Sequence, residues 1–257
     1  MQNCKYICYI LISIFLLTGC ANSEDKVKEF FQTDSATQVR EDYSDILEHL
    51  IRLKTKLDKR NPQEYNKKIS NQIYHELQVA QNNITLTINK NRLENYDDYF
   101  KYAFDKKPNV QYRNDFLILG IYKLIYEAYD MKNGHQITAL TYNNEKLQKL
   151  YYYLRALKWR IKTIKDTNGE YLFLTWQKNW QIEFEKRVKR GEEPSWEMIQ
   201  NLKYIKSNQE NILQPSNFSF EVILSRMITD VKNTLKNIGE EPVDVGIEAI
   251  KGLVFFI

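Results

Sequence analysis

Apolar residues recur along this chain at helical rather than strand spacing. Val39, Tyr43, Ile46, Leu50, Leu53 and Leu57 stand alternately four and three residues apart, which lines them along one face of a helix. Asp34 or Ser35 can cap its start. Asn61-Pro62-Gln63-Glu64 reads as the opening of a second helix, with Asn61 as the cap, Pro62 in the first turn and Glu64 reaching back. Tyr65, Ile69, Ile73, Leu77 and Ala80 continue it, and the very short connection predicts an antiparallel helical hairpin. Residues 84–88 alternate as a brief strand or an extended loop would. Residues 93–104 read as a shorter helix that ends before Pro108. Residues 116–131 are apolar on every side, the pattern of a helix buried at the centre of a fold. Gly120 within it would let a neighbouring helix approach closely, and Gly134 fits a C-cap.

Leu147, Leu150, Leu154, Leu157, Ile161 and Ile164 form another stripe, after Asn143. Asp166-Thr167-Asn168-Gly169 is a strong turn. It could join a hairpin made by residues 160–165 and 170–174, or end one helix before the next. Phe173, Trp176, Trp180, Phe184 and Val188 keep helical spacing, which favours the second alternative. Pro194 opens a short helix through Ile205; Phe220, Leu224, Met227, Val231, Leu235 and Ile238 stripe a long one closed by Gly239; Pro242 opens a last one whose apolar end docks into the core. The expectation is an all-α, multi-helical domain of about eight helices over residues 36–257, with the N-terminal hairpin and one short β element. The chain has only 8 glycines and 5 prolines among 257 residues, too few for a turn-rich β fold.

The N-terminus breaks this pattern. A short positive region at Lys5 precedes a 12-residue apolar run, residues 6–17, interrupted only by Ser13. A bilayer span needs about 20 apolar residues, so the run suits a signal peptide better than a permanent helix. It ends in Leu17-Thr18-Gly19-Cys20, which resembles the lipobox of bacterial lipoproteins. The resemblance covers residues 1–20 only. It implies a lipoprotein signal peptide at 1–19, cleavage between Gly19 and Cys20 by lipoprotein-processing enzymes, and attachment of membrane lipid, palmitate included, at Cys20. Residues 20–35 would then be the lipidated cysteine and a polar tether. Ala21 follows the cysteine where an inner-membrane retention signal of this class has Asp. That implies the outer membrane facing the periplasm in a Gram-negative cell, or the outer face of the plasma membrane in a Gram-positive one. Cys4 and Cys8 would be removed, so no disulfide is expected in a compartment that permits them.

Composition then narrows the chemistry. The formal net charge is +4, yet residues 146–190 hold twelve Lys/Arg against four Asp/Glu. Tyr151, Tyr152, Tyr153, Trp159, Trp176 and Trp180 are interleaved with them. Arg155, Lys158, Trp159, Lys162 and Arg187 are the candidates for a basic-aromatic surface that meets an acidic envelope protein or a polyanionic envelope component; a solvated helix face is the alternative. Nucleic acid suits the same chemistry but not an exported, anchored protein. No partner histidine or cysteine stands at ligand spacing from His49, His75 or His135, and Val79 occupies the place a zinc-protease motif beginning at His75-Glu76 would need for its second histidine. No metal or cofactor is expected. No nucleophile elbow or phosphate-binding loop is present. Glu127 is the one acid to weigh for catalysis, because burial in the apolar 116–131 helix would raise its pKa, unless it pairs with Lys123. The preferred reading is a non-enzymatic binding or scaffold lipoprotein of the envelope. The alternatives are a carrier of an apolar ligand or lipid, and an envelope glycan hydrolase acting through Glu127.

Overall fold

A computed structural model describes residues 34–107, 110–131, 143–175, 177–213 and 219–243. The signal segment, Gly19, Cys20, His135, Gly134, Trp176 and the C-terminal docking segment lie outside the described residues. Helix α1 occupies residues 34–60, so Asp34 and Ser35 are already helical rather than tether. All six residues of its stripe, Val39 to Leu57, are buried.

The second helix begins later than its sequence suggests. Residues 61–69 form turns, and α2 is Ser70–Val79. The predicted capping groups have been drawn elsewhere. The Asn61 side chain donates to the carbonyls of Leu57 (3.1 Å) and Leu174 (3.0 Å) and accepts from Leu174 N–H at 2.8 Å. Glu64 accepts from Arg113 N–H, and Asp115 accepts from Asn66 N–H at 2.6 Å. With backbone and caps engaged by distant groups, the helix cannot propagate from Pro62. Tyr74 of α2 still reaches back to Thr55 of α1, at 3.2 Å.

The alternating segment becomes a two-residue hairpin, β1 (Thr87–Ile88) against β2 (Asn91–Arg92), paired Thr87 to Arg92 and Ile88 to Asn91. Asn89 and Lys90 at its tip both have positive φ, the geometry of the tight primed turn that matches strand twist. Helix α3 (Tyr96–Ala103) is capped by Asn95, which accepts from Asp98 N–H at 2.9 Å. Helix α4 (Arg113–Ala128) is the predicted central helix, buried along nearly its whole length. Gly120 is where α3 presses onto it, and a Cβ there would stand 2.7 Å from the ring of Phe100 and 3.1 Å from Cβ of Tyr99.

Helix α5 (Asn144–Thr163) is capped by Asn143, as expected. Beyond it the 166–169 turn does separate two helices, but the second begins later than the stripe from Phe173 predicts, and the bridge expected of the hairpin alternative is also present. Residues 164–175, 177 and 178 are not helical; Lys165 bridges Tyr171 across the Asn168-Gly169 turn, and α6 is only Asn179–Lys189. Asn179 bonds both N–H and C=O of Tyr171, Asn61 bonds both of Leu174, and Asp166 takes the N–H groups of Asn168 and Glu170. These side chains satisfy the backbone in an extended form. Phe173 is buried against Phe104, their ring centroids 5.5 Å apart, instead of joining a stripe with Trp180. Short α7 (Trp196–Gln200) and α8 (Lys203–Lys206) replace the single helix from Pro194, and α9 (Ser219–Asn237) closes at Gly239. The fold is all-α with nine helices and one small β element among the described residues. None of these helices is long and apolar enough to cross a membrane.

One continuous cluster of buried side chains runs from Val39 to Leu235. Two polar features cross it. Lys54, fully buried, sits 2.6 Å from Asp58 and 3.3 Å from Asp115, with Asn114 bonded to Asp58. Between α1 and α9, His49 Nδ1 lies 2.9 Å from Asp230, and Asp42 accepts from Thr234 (3.2 Å) and Asn237 (3.0 Å). Burial, reinforced by the charges of Asp230 and Asp45, pushes Asp42 up from 3.8 to about 6. A carboxyl whose folded pKa is raised binds its proton more tightly folded than unfolded, so its contribution is full below pH 3.8 and is lost as pH rises through 6. Asp42→Asn keeps both hydrogen bonds without the charge. It should raise stability by ~1 kcal/mol at pH 7.5, allowing for solvent screening of this half-exposed group, and by nothing at pH 3.5. Urea unfolding at the two pH values checks this.

Candidate functional site: a basic-aromatic groove

Helix α5 is bound to the core by Leu147, Leu150, Leu154, Leu157 and Ile161. Helix α9 is bound by Phe220, Leu224, Met227, Val231 and Leu235. The residues flanking these stripes face each other. Arg155, Lys158, Trp159 and Lys162 of α5 line one wall of an open groove of about 520 Å³; Glu221, Ser225, Ile228 and Lys232 belong to the other. Lys158 Nζ is 2.6 Å from Glu221 and 2.8 Å from Ser225 Oγ, and Lys162 Nζ is 3.0 Å from Glu221. These pairings show that α5 and α9 run antiparallel. At the other end of the groove the Arg155 guanidinium lies 5.4 Å from the ring centre of Tyr151. Each wall spans eleven residue steps, about 16 Å at helical rise.

Four cations thus share the groove with one carboxylate. Burial pushes Glu221 up, but hydrogen bonds from Lys158 and Lys162 outweigh it and hold its carboxyl below the usual range. The groove stays electropositive with Glu221 ionised, and Trp159, Tyr151 and Ile228 add apolar contact along it. An acidic, partly apolar segment matches this lining.

The structure brings together four of the five residues expected at this surface. Arg187 is on α6, 2.9 Å from Glu183 and 3.9 Å from Glu192, and does not line the groove. Run-length in sequence could not show this, because the chain leaves the helix at Ile164 and carries α6 to another face. Lys232 and Glu221, which complete the groove, come from a segment some 70 residues away with no charge run to mark it.

Glu127 does not have the burial that acid catalysis would use. It is exposed near the end of α4. Lys123 is not its partner; that side chain is buried, donates to Asn82 at 2.9 Å and lies over the ring of Tyr99. The neighbours of Glu127 are Tyr96, Lys149 and Tyr153. Burial first, then the charges of Asp97, with a smaller contribution from Glu127, push Tyr153 up. His49 is held by Asp230, and His75 is exposed. The hydroxyls of the aromatic residues at the far end of α4 are partnered: Tyr122 donates to the carbonyl of Gln81 at 2.5 Å, and Tyr129 and Thr234 share a 2.8 Å hydrogen bond. At the start of α4 an open concavity of about 550 Å³ lies beside Phe116, against Ile69, Leu86, Tyr102 and Val110. Comparison with protein families, curated proteins and solved structures finds no match.

Proposed function

We propose that the protein is a lipid-anchored envelope lipoprotein that acts as a non-enzymatic binding protein, holding an acidic partner protein in the groove between α5 and α9. The observation that carries this is the gathering of Arg155, Lys158, Trp159 and Lys162 with Tyr151, Ile228 and Lys232 around a single carboxylate. Arg, Trp and Tyr are the residues that dominate the energetics of protein interfaces, which favours a protein over a bare polyanion. The lipobox-like Leu17-Thr18-Gly19-Cys20 supports the anchor. Two or three acyl chains would keep the groove at a membrane surface, where one would bind only reversibly.

Capture from detergent-solubilised membranes tests the reading. Arg155→Glu/Lys158→Glu/Lys162→Glu should lose the captured protein, while Arg187→Glu, on another face, should keep it. Each half-exposed ion pair broken is worth only about 0–1 kcal/mol, so the variant remains folded. Release of the partner by heparin alone, with no dependence on Trp159→Ala, would point to a polyanionic component instead. An identical partner set in all variants removes the groove from the function. In the same fractionation Cys20→Ser should leave the membrane pellet and lose palmitate label.

A further inference from the structure

A second concavity shares no residue with the groove. It opens where the 61–64 turn, the start of α4, the extended 166–174 segment and α8 meet, and it holds about 230 Å³, roughly seven water volumes. Glu64, Asp166, Glu170, Lys203, Tyr171 and Tyr204 line it. We propose that this cleft binds a neutral polyhydroxylated ligand, a saccharide, at the scale of one sugar ring.

The charge balance selects this class. Three carboxylates, Glu64, Asp166 and Glu170, are matched by three cations, Arg60, Arg113 and Lys203, so the lining has no net charge. The cations are committed to the protein. Arg113 is buried, and its guanidinium donates to the carbonyls of Ala103 (3.3 Å), Asp105 (2.6 Å) and Lys107 (2.5 Å). Arg60, also buried, donates to the carbonyl of Gln177 at 3.2 Å and faces the charge of Glu210. Lys203 Nζ lies 3.5 Å from Glu170 and over the ring of Tyr204. An anion would therefore meet three carboxylates and find its counter-charges occupied. A cation would meet two desolvated guanidiniums behind the carboxylates. A neutral ligand pays neither penalty.

The hydrogen-bonding inventory points the same way. A carboxylate offers about four acceptor sites. Among the described residues Glu64 accepts only the long 3.4 Å bond from Arg113 N–H, Glu170 accepts from Tyr204 OH at 2.5 Å and from Lys203, and Asp166 is engaged by the N–H groups of Asn168 and Glu170. The cleft thus offers acceptors on Glu64 and Glu170 beside donors on Lys203, Tyr171, Gln63 and Gln209, a mixed set that suits hydroxyls, which both donate and accept. Tyr171 and Tyr204 supply apolar contact for ring C–H groups. Burial pushes the Glu64 carboxyl up, against the Arg113 N–H bond and the Arg113 charge, which pull it down. The walls are preformed. Asn61 pins Leu174, Asn179 pins Tyr171, and Glu210 accepts from Asn179 N–H at 2.9 Å.

Saturation-transfer NMR on the full chain in detergent tests this with four probes, N-acetylglucosamine, glucose, inorganic phosphate and putrescine, each at about 10 mM. A neutral sugar should receive transfer, and phosphate and putrescine should not. Glu64→Ala/Glu170→Ala should weaken sugar binding at least tenfold, about the worth of one hydrogen bond to a charged acceptor. Lys203→Ala, at an exposed residue that leaves the fold intact, should weaken it about threefold by freeing Glu170 to move. Silence from both sugars, stronger transfer to putrescine or phosphate, or sugar binding unchanged in a folded Lys203→Ala and double variant overturns the proposal. Because the groove residues are untouched, the capture experiment is independent of this result.

Discussion

Lys54→Met should lower the unfolding free energy by ~3–5 kcal/mol, the largest effect expected of any single substitution in this chain. Lys54 is fully buried between Asp58 and Asp115, with its amine 5.0 Å from the ring centre of Tyr74. Methionine preserves the length and packing of the stem but removes the charge. Two carboxylates would then face each other inside the protein, with the Asn114 amide and Asn66 N–H left as their hydrogen-bond donors among the described residues. Burial already pushes both up; Lys54 is the largest opposing influence at Asp58, and at Asp115 it adds to the Asn66 N–H bond, which opposes the shift first. Without it they would hold protons at higher pH, so the deficit should be largest above neutral pH and shrink in acid, where both carboxyls are neutral in either variant. Adding Asp58→Asn and Asp115→Asn should recover much of the loss, because a neutral hydrogen-bonded cluster needs no counter-charge. Urea titrations at pH 4.5 and 8 measure both effects. A loss of less than about 1 kcal/mol at pH 8 would mean that water reaches the cluster.

Gly120→Ala should destabilise by ~1–3 kcal/mol, although alanine is the better helix former by about 1 kcal/mol at an exposed position. The added methyl would stand 2.7 Å from Phe100, a fully buried ring whose centroid is 6.2 Å from that of Tyr96 and 6.3 Å from that of Tyr153. Its other contact, Cβ of Tyr99 at 3.1 Å, is fixed to the backbone of α3. Relief therefore requires α3 to move off α4 as a unit, and with it the Leu86 N–H bond to the Tyr99 hydroxyl that ties the β1–β2 hairpin down. Gly120→Val should be worse. Thermal unfolding measures the loss, and hydrogen exchange in α3 should rise before exchange in α5 and α9 does. A raised melting temperature in Gly120→Ala would show that α3 tolerates displacement.

These two sites differ in how far a reader of the sequence could see them. A glycine inside a run of large apolar residues marks a close helix approach, and Gly120 was visible for that reason. Lys54 was not. It stands in α1 beside the apolar Leu53, yet it is fully buried, because α1, α4 and the 61–69 turns close around it. A similar contrast divides the groove. Arg155, Lys158, Trp159 and Lys162 share a helix face at ordinary spacing, whereas Lys232 and Glu221 joined them only through packing. Arg187 looked equivalent in the charge run and is not, because the chain turns at Asp166 between them.

By itself the sequence determined what local periodicity can encode: an all-α chain, the buried central helix, and the caps at Asn143 and Gly239. Those features depend on residues within a turn or two of each other. Tertiary structure alone decided where α2 begins, why residues 164–175 stay out of a helix, that Glu127 is exposed, and which cations share a groove. For the start of α2, the segment after α5 and the groove, a polar side chain is claimed by a partner about 50 to more than 100 residues away, as with Asn61 and Leu174. A hydrogen bond or ion pair across such a distance overrides a local propensity worth only a few tenths of a kcal/mol per residue, and no spacing along the chain records it.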